Sequence, residues 1–123
     1  MLKSILLVGL GGGVGSILRY LTSLLSHRSF GDKFPFGTII VNIVGCLIVG
    51  ILIGLLSKIN PADTNMKILL ITGFCGGFTT FSALSAESFA MIESGNILTA
   101  ILYIAGSIII GLLAVWLGLV IAR

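Results

Sequence analysis

Ile71-Thr72-Gly73-Phe74-Cys75-Gly76-Gly77-Phe78-Thr79-Thr80-Phe81-Ser82-Ala83-Leu84-Ser85-Ala86-Glu87 is apolar enough to cross a bilayer, yet it is a poor helix at its centre. Three glycines fall within five residues and two threonines follow. Each glycine is about 1 kcal/mol worse than alanine in a helix interior. A helix broken in mid-membrane leaves carbonyls and amides that protein, ion or water must satisfy. Carbonyls at such a break can bind a cation, and a half-helix N-terminus can face an anion. The competing reading is that these glycines only let helices approach closely. After them, Thr79, Ser82, Ser85 and Ser88 recur every three residues as a hydroxyl stripe, with Phe78, Phe81 and Leu84 beside it. Hydroxyls next to ring edges, which carry partial positive charge, can line a narrow polar track suited to an anion. The alternative is that each hydroxyl bonds the preceding turn and the rings face core or lipid.

The rest of the chain supplies the same solvent. Of 123 residues, 57% are hydrophobic and 9% charged, with 7 Lys+Arg against 4 Asp+Glu, and the mean hydropathy is +1.23. Soluble domains carry about 25% charged residues, so this chain could not cover its apolar surface in water. That excludes a soluble enzyme, a disordered tail and a nucleic-acid binder; the net charge of +3 comes from scattered residues that form no patch. Charged positions punctuate long neutral runs, with 24 residues between Lys33 and Lys58 and 29 between Glu93 and Arg123. A spanning helix needs about 20. The reading is an all-α integral membrane protein, one transmembrane domain over 1–123, with helices at about 4–26, 36–57, 67–91 and 97–121. The third is broken. Short connections make consecutive helices antiparallel; Asn60-Pro61-Ala62-Asp63 reads as a turn and Ser94-Gly95-Asn96 as a turn with a cap for the last helix.

No small-residue cleavage site follows the first apolar run, so that helix is expected to be retained rather than cleaved as a signal peptide. Gly9-Leu10-Gly11-Gly12-Gly13-Val14-Gly15 does not fit a G-x-G-x-x-G phosphate loop in any register and has no strand before it. Pairs four apart, Gly9/Gly13, Gly11/Gly15 and Gly50/Gly54, read instead as helix-contact faces. Cys46 and Cys75 lie within helices, which argues against a disulfide framework. The side holding the termini and the 58–66 loop carries Lys3, Lys58, Lys67 and Arg123; the other carries Arg28, Lys33 and, if it reaches that interface, Arg19. Four against three is hardly a positive-inside bias. Four short helices enclose too little volume for a conduit, so a dimer is expected, antiparallel if insertion is dual.

Asn42 is the only amide deep within a span, and such a group usually faces the bundle or a cavity. It serves either as a hydrogen bond between helices or as an NH2 donor to a passing anion. Ser107 on the fourth helix is a weaker candidate of the same kind. Arg19 either snorkels to the interface or supplies positive charge at a vestibule, and Glu87 ends the hydroxyl stripe near the opposite mouth.

Three blocks carry a family resemblance: Gly12-Gly13-Val14-Gly15-Ser16-Ile17-Leu18-Arg19-Tyr20, Gly37-Thr38-Ile39-Ile40-Val41-Asn42-Ile43-Val44-Gly45, and Gly73-Phe74-Cys75-Gly76-Gly77-Phe78-Thr79-Thr80-Phe81-Ser82. With the length and four-helix layout, the chain resembles the Fluc/CrcB family of fluoride channels. The resemblance implies an antiparallel dual-topology homodimer in the bacterial cytoplasmic membrane, with fluoride passing two pores that flank a central structural sodium ion. It assigns the sodium carbonyls to Gly76 and Thr79, the pore asparagine to Asn42, the fluoride-facing ring to Phe81, the polar track to Thr80, Ser82 and Ser107, and the vestibule arginine to Arg19. The second pore phenylalanine of the family corresponds to Leu84, which has no ring edge to offer an anion.

Fluoride holds its water strongly, so a site must replace that shell with many neutral donors while binding weakly enough to release the ion. A central cation would offset the cost of an anion in low dielectric. The function implied is passive fluoride export. The alternative is a small multidrug-type proton-coupled exporter, also a short four-helix dual-topology dimer, but that chemistry needs a membrane-embedded carboxylate and the first helix has none. A structural subunit leaves the hydroxyl stripe and Asn42 unexplained. An enzyme has no nucleophile–base pair to work with, and His27 stands alone in a loop.

Overall fold

The computed structural model describes residues 1–123 and is all-helical, with no strand. Helix α1 covers Leu2–Phe30 and α2 covers Phe36–Ile59. A one-turn helix α3, Thr64–Met66, leads into a π-helical stretch, Lys67–Cys75, and a further turn α4, Gly76–Phe78. Helix α5 covers Phe81–Glu93 and α6 covers Ile97–Ala122. Four segments are long and apolar enough to cross a membrane: Leu2–Phe30, Phe36–Ile59, Thr64–Glu93 and Ile97–Ala122. The shortest, at 24 residues, spans about 36 Å at a rise of about 1.5 Å per residue, enough for a hydrocarbon core of about 30 Å.

The first helix runs four residues past its expected end at 26 and takes in His27 and Arg28. It stops at Gly31, whose φ of 72° only glycine adopts readily and whose N–H donates to the His27 carbonyl at 2.9 Å. The 58–66 loop turns as expected, and its Asp63 side chain accepts the Met66 N–H at 3.0 Å. Asn96 does not cap the last helix with its side chain. Its Nδ2 donates to Ser94 Oγ at 3.2 Å instead, and Gly95 makes the turn with a φ of 85°.

The expected location of the helix break needs correction. Gly73 lies in the π-helical stretch, and Gly76 and Gly77 lie in α4, so none of the three leaves the helical region. The residues that do are Thr79 (φ −80°, ψ 159°) and Thr80 (φ −151°, ψ 121°), both extended. Close approach is the reason for two of the glycines. A methyl carbon on Gly73 would lie 3.1 Å from the Gly11 Cα, and one on Gly77 would meet the Gly12 carbonyl oxygen and sit 2.9 Å from its Cα.

The bundle is held by such smooth faces. Between helices in lipid there is no hydrophobic drive, so close van der Waals packing of small residues takes its place. Helix α1 packs on the π-helical stretch and α4, whereas α2 packs on α6. On α1, Gly11 and Gly15 face the third span, where an added methyl would lie 2.9 Å from Phe74 N and 2.8 Å from Phe78 N respectively. On α2, Gly50 and Gly54 face α6: the first would meet Leu119 N at 3.0 Å and the second Ala122 Cβ at 2.6 Å. Gly9 and Gly13, expected to pack likewise, touch nothing within 4 Å. Buried apolar side chains are few and modest, among them Val41, Cys75, Phe78, Leu84 and Ala100, while most leucines and isoleucines lie on the outside. That inside-out distribution is what a lipid solvent permits.

Candidate functional site

Hydrogen bonds join α2 to α5 and its N-cap in antiparallel order, Asn42 to Thr80 and Thr38 to Glu87. This junction places Asn42 against the extended pair. Asn42 Oδ1 accepts the Thr80 N–H at 2.8 Å, and Asn42 Nδ2 donates to the Thr80 carbonyl at 3.0 Å. One carboxamide thus satisfies both polar groups of a residue that has left the helix, which a membrane interior demands. Thr80 in turn caps α5, its Oγ1 accepting the Ala83 N–H at 3.2 Å and lying 3.1 Å from Ser82 Oγ.

These two bonds redirect donors. In a continuous helix the Thr80 N–H would serve the Gly76 carbonyl and the Ala83 N–H the Thr79 carbonyl. Here the first goes to Asn42 and the second to the Thr80 hydroxyl. The Gly76 and Thr79 carbonyls therefore lose their regular helical donors. Gly76 is also exposed, with only the Ile71 carbonyl oxygen near its Cβ position, at 3.9 Å.

A groove of about 390 Å³ opens beside this junction, lined by Asn42, Thr79, Thr80 and Phe81 together with Ser107 of α6 and Leu84. Its polar groups are neutral. Phe81 is 79% exposed at its rim, whereas Leu84 is buried. Ser82 is exposed and joins the group through Thr80 rather than through the groove wall. Arg19 is half-buried on α1 and lines neither this groove nor the larger cavity described next.

The three-residue hydroxyl stripe does not survive as one surface. Thr79 Oγ1 donates to the Cys75 carbonyl at 2.8 Å, and Ser88 Oγ donates to the Leu84 carbonyl at 2.7 Å. Both satisfy themselves on the preceding turn, while Ser82 and Ser85 face outward. The extended residues after Thr79 rotate it away from the serines of α5, which no spacing count could anticipate.

One turn further along α2 a second cluster was missed by the sequence reading. Thr38 Oγ1 donates to Glu87 Oε1 at 2.6 Å, and the Tyr103 hydroxyl donates to Glu87 Oε2 at 2.5 Å. Thr38 and Tyr103 are almost fully buried, at 6% and 4% exposure, and Phe34 stacks edge-on against the Tyr103 ring at 5.5 Å. Glu87 lines a cavity of about 520 Å³ walled by Ser23, His27, Asp32, Lys33, Thr38 and Ser94, among others. The signal for Thr38 and Tyr103 was weak, because a single threonine or tyrosine within an apolar helix is ordinary. The two cavities share no lining residue, but Thr38 and Asn42 are one turn apart on α2 and Glu87 and Leu84 are three residues apart on α5, so the same two helices contribute to both.

Fold and site together define a small polytopic membrane protein whose spans converge on a neutral polar groove at a helix junction. Residues 6–119 match the family described as CrcB-like protein, Camphor Resistance (CrcB), and the chain belongs to that family. It is 54% identical to the fluoride-specific ion channel FluC of Azobacteroides pseudotrichonymphae genomovar. CFP2, over 100% of this chain and 98% of that one. It is 48% identical to the fluoride-specific ion channel FluC of Flavobacterium psychrophilum, over 99% and 98% of the two chains. The relative from Phocaeicola vulgatus, with the same name, is 44% identical over 96% of this chain and 97% of its own.

Proposed function

We propose that the protein is a passive, fluoride-selective channel that lets fluoride leave the cell across the cytoplasmic membrane. The observation that carries this is the full-length match to proteins named as fluoride channels, joined to a groove whose polar groups are all uncharged. A strongly hydrated small anion needs several donors at once, and fixed charge would hold it too tightly for conduction. In this reading the ion enters by the Glu87 mouth and passes Asn42, Thr80, Ser82 and Ser107, with the exposed edge of Phe81 turned toward it. Asn42 has one amide hydrogen left after bonding Thr80, so it can hold the junction and still donate to the ion. Arg19 would act from outside the two cavities, as a long-range positive charge at a vestibule. Family membership sets aside the small multidrug exporter.

Two subunits are required in this reading. Phe81, Gly76, Gly9 and Gly13 lie on faces with nothing packed against them, and glycine faces suit close approach of another helix. An antiparallel dual-topology homodimer would cover them and complete the conduits. Sodium fits the junction. The Gly76 and Thr79 carbonyls have been deprived of their helical donors, and hard oxygen ligands of this kind suit an alkali cation. Bound there by both subunits, the ion would supply positive charge that offsets an anion's desolvation, while the protein's own part is to hold Thr80 extended through Asn42.

The test is efflux of fluoride, with chloride as the control, from liposomes holding the purified protein. Equal efflux of both ions, or none of either, rejects the assignment. Crosslinking between single cysteines on opposite membrane faces reports the antiparallel dimer.

A further inference from the structure

We infer that Phe34 is a positioning residue for the conduit: its ring holds the Tyr103 hydroxyl on Glu87 and so keeps that carboxylate against the wall of the 520 Å³ cavity. The inference rests on the anion-conduit reading above. The loop 31–35 between α1 and α2 is stiff at both ends. Gly31, with its φ of 72°, turns the chain, and Pro35, at φ −79°, leads into α2. A residue before proline is kept out of the helical region, so Phe34 has little backbone freedom of its own. The flanking helices are in close contact, since a methyl carbon on Gly37 would lie 3.0 Å from the Ser23 Cα. From this fixed loop the Phe34 ring meets Tyr103 edge-on, with centroids 5.5 Å apart and planes at 75°. Phe36 packs on Phe34 at 5.2 Å and Phe30 on Phe36 at 5.0 Å. The end of α1, the loop and the start of α2 thus brace one ring of α6.

The brace acts on the cluster beside it. Tyr103 is 4% exposed, and Phe34 is its one aromatic neighbour in the chain. The hydroxyls of Tyr103 and Thr38 each engage one oxygen of Glu87. Glu87 is only half-buried and lines an open cavity, so it has room to turn inward once an oxygen is released. A carboxylate projecting into the path repels an entering anion, whereas one shared between two hydroxyls keeps its charge at the wall. An edge-on ring pair biases the engaged over the released hydroxyl roughly two- to tenfold. Phe34 acts on the ion through Tyr103 and Glu87.

Two measurements on the purified full-length protein test this. The first is the infrared C–O stretch of isotope-labelled tyrosine in a Tyr20→Phe background, where Tyr103 is the only tyrosine. Phe34→Leu keeps apolar bulk but loses the ring edge, and it is expected to move the band from that of a strong donor toward that of a free hydroxyl. The second is fluoride current in planar bilayers. Phe34→Leu lowers the current, by up to about tenfold, and Phe34→Tyr, which keeps the ring, recovers it. In Tyr103→Phe no hydroxyl is left to position, so adding Phe34→Leu lowers the current no further. Should Phe34→Leu not fold, Phe34→Met carries the same two measurements. A ring that merely anchors the loop predicts the same loss in both backgrounds. That result, or an unmoved band, overturns the inference and leaves the conduit standing. Absence of fluoride current from the wild type overturns the conduit itself, and this role for Phe34 with it.

Discussion

Asn42→Ala separates the structural role of Asn42 from the ion-contact role proposed for it. The carboxamide accepts the Thr80 N–H at 2.8 Å and donates to the Thr80 carbonyl at 3.0 Å, so truncation strands one donor and one acceptor of the backbone. An unsatisfied buried group costs about 1–3 kcal/mol, which makes about 2–6 kcal/mol the upper bound for the pair and favours the lower end here, where both residues are half-buried beside the groove. Asn42→Asp keeps an acceptor for the Thr80 N–H but sets a second carboxylate oxygen against the Thr80 carbonyl, so it recovers about half of that loss. The assay is reversible unfolding in detergent alongside liposome efflux. Destabilisation in the order alanine, then aspartate, then wild type, with efflux suppressed in both variants, is the expected result. An alanine variant that unfolds within about 0.5 kcal/mol of wild type, a value typical of surface substitutions, would refute the clamp and leave Asn42 as an ion contact alone.

Gly15→Ala places a methyl 2.8 Å from Phe78 N and against the Phe74 carbonyl, backbone that cannot move aside; overpacking of this kind costs about 1–3 kcal/mol, readable as a fall in thermal stability, whereas Gly13→Ala, with nothing within 4 Å, meets no clash and is expected to gain about 1 kcal/mol from helix propensity. Tyr103→Phe removes the 2.5 Å donor to Glu87; a hydrogen bond to a charged group contributes about 1.5–3 kcal/mol, measured by the same unfolding. Phe81→Ile replaces an exposed ring at the groove rim and is expected to lower efflux while the circular dichroism and the oligomer stay intact. Removing sodium rigorously from the purified protein is expected to abolish fluoride efflux, and activity that persists would count against a structural cation.

Composition and charge spacing made the four spans legible, because lipid imposes a length and a polarity that need no tertiary detail. The ends were less so. The α1 terminus moved to Phe30 because a glycine with positive φ, rather than the first charged residue, stops the helix. That Asn42 needs a partner was legible, since a lone amide in a span must find one, but that the partner is a backbone unit 38 residues away was not. The triad of Thr38, Glu87 and Tyr103 joins three helices through residues that carry no motif, and only packing reveals it. Gly73 and Gly77 were misread as breakers because weak helix propensity and close approach write the same letter. What distinguishes them is whether another backbone lies within about 3 Å, and Gly11 and Gly12 on α1 supply it.

Two ordinary devices combine at the junction. A side-chain cap usually ends the matter by satisfying one orphan N–H. Here Asn42 and the Thr80 hydroxyl take N–H groups that belonged to the Gly76 and Thr79 carbonyls, so satisfying the donors displaces the acceptors. In water that would be of little consequence. In a membrane interior a carbonyl without a partner is expensive, and a fold that withdraws the regular donors of two of them while leaving Gly76 exposed favours positive charge at that face. In the proposed reading, a cation shared with a second subunit would meet the demand and would cover the bare glycine surface in the same step. On this argument the ion and the dimer are one requirement, so Asn42→Ala, which removes the hold that keeps Thr80 extended, should weaken subunit association and sodium dependence together. A variant that still dimerises normally and still needs sodium would separate the two and break the argument.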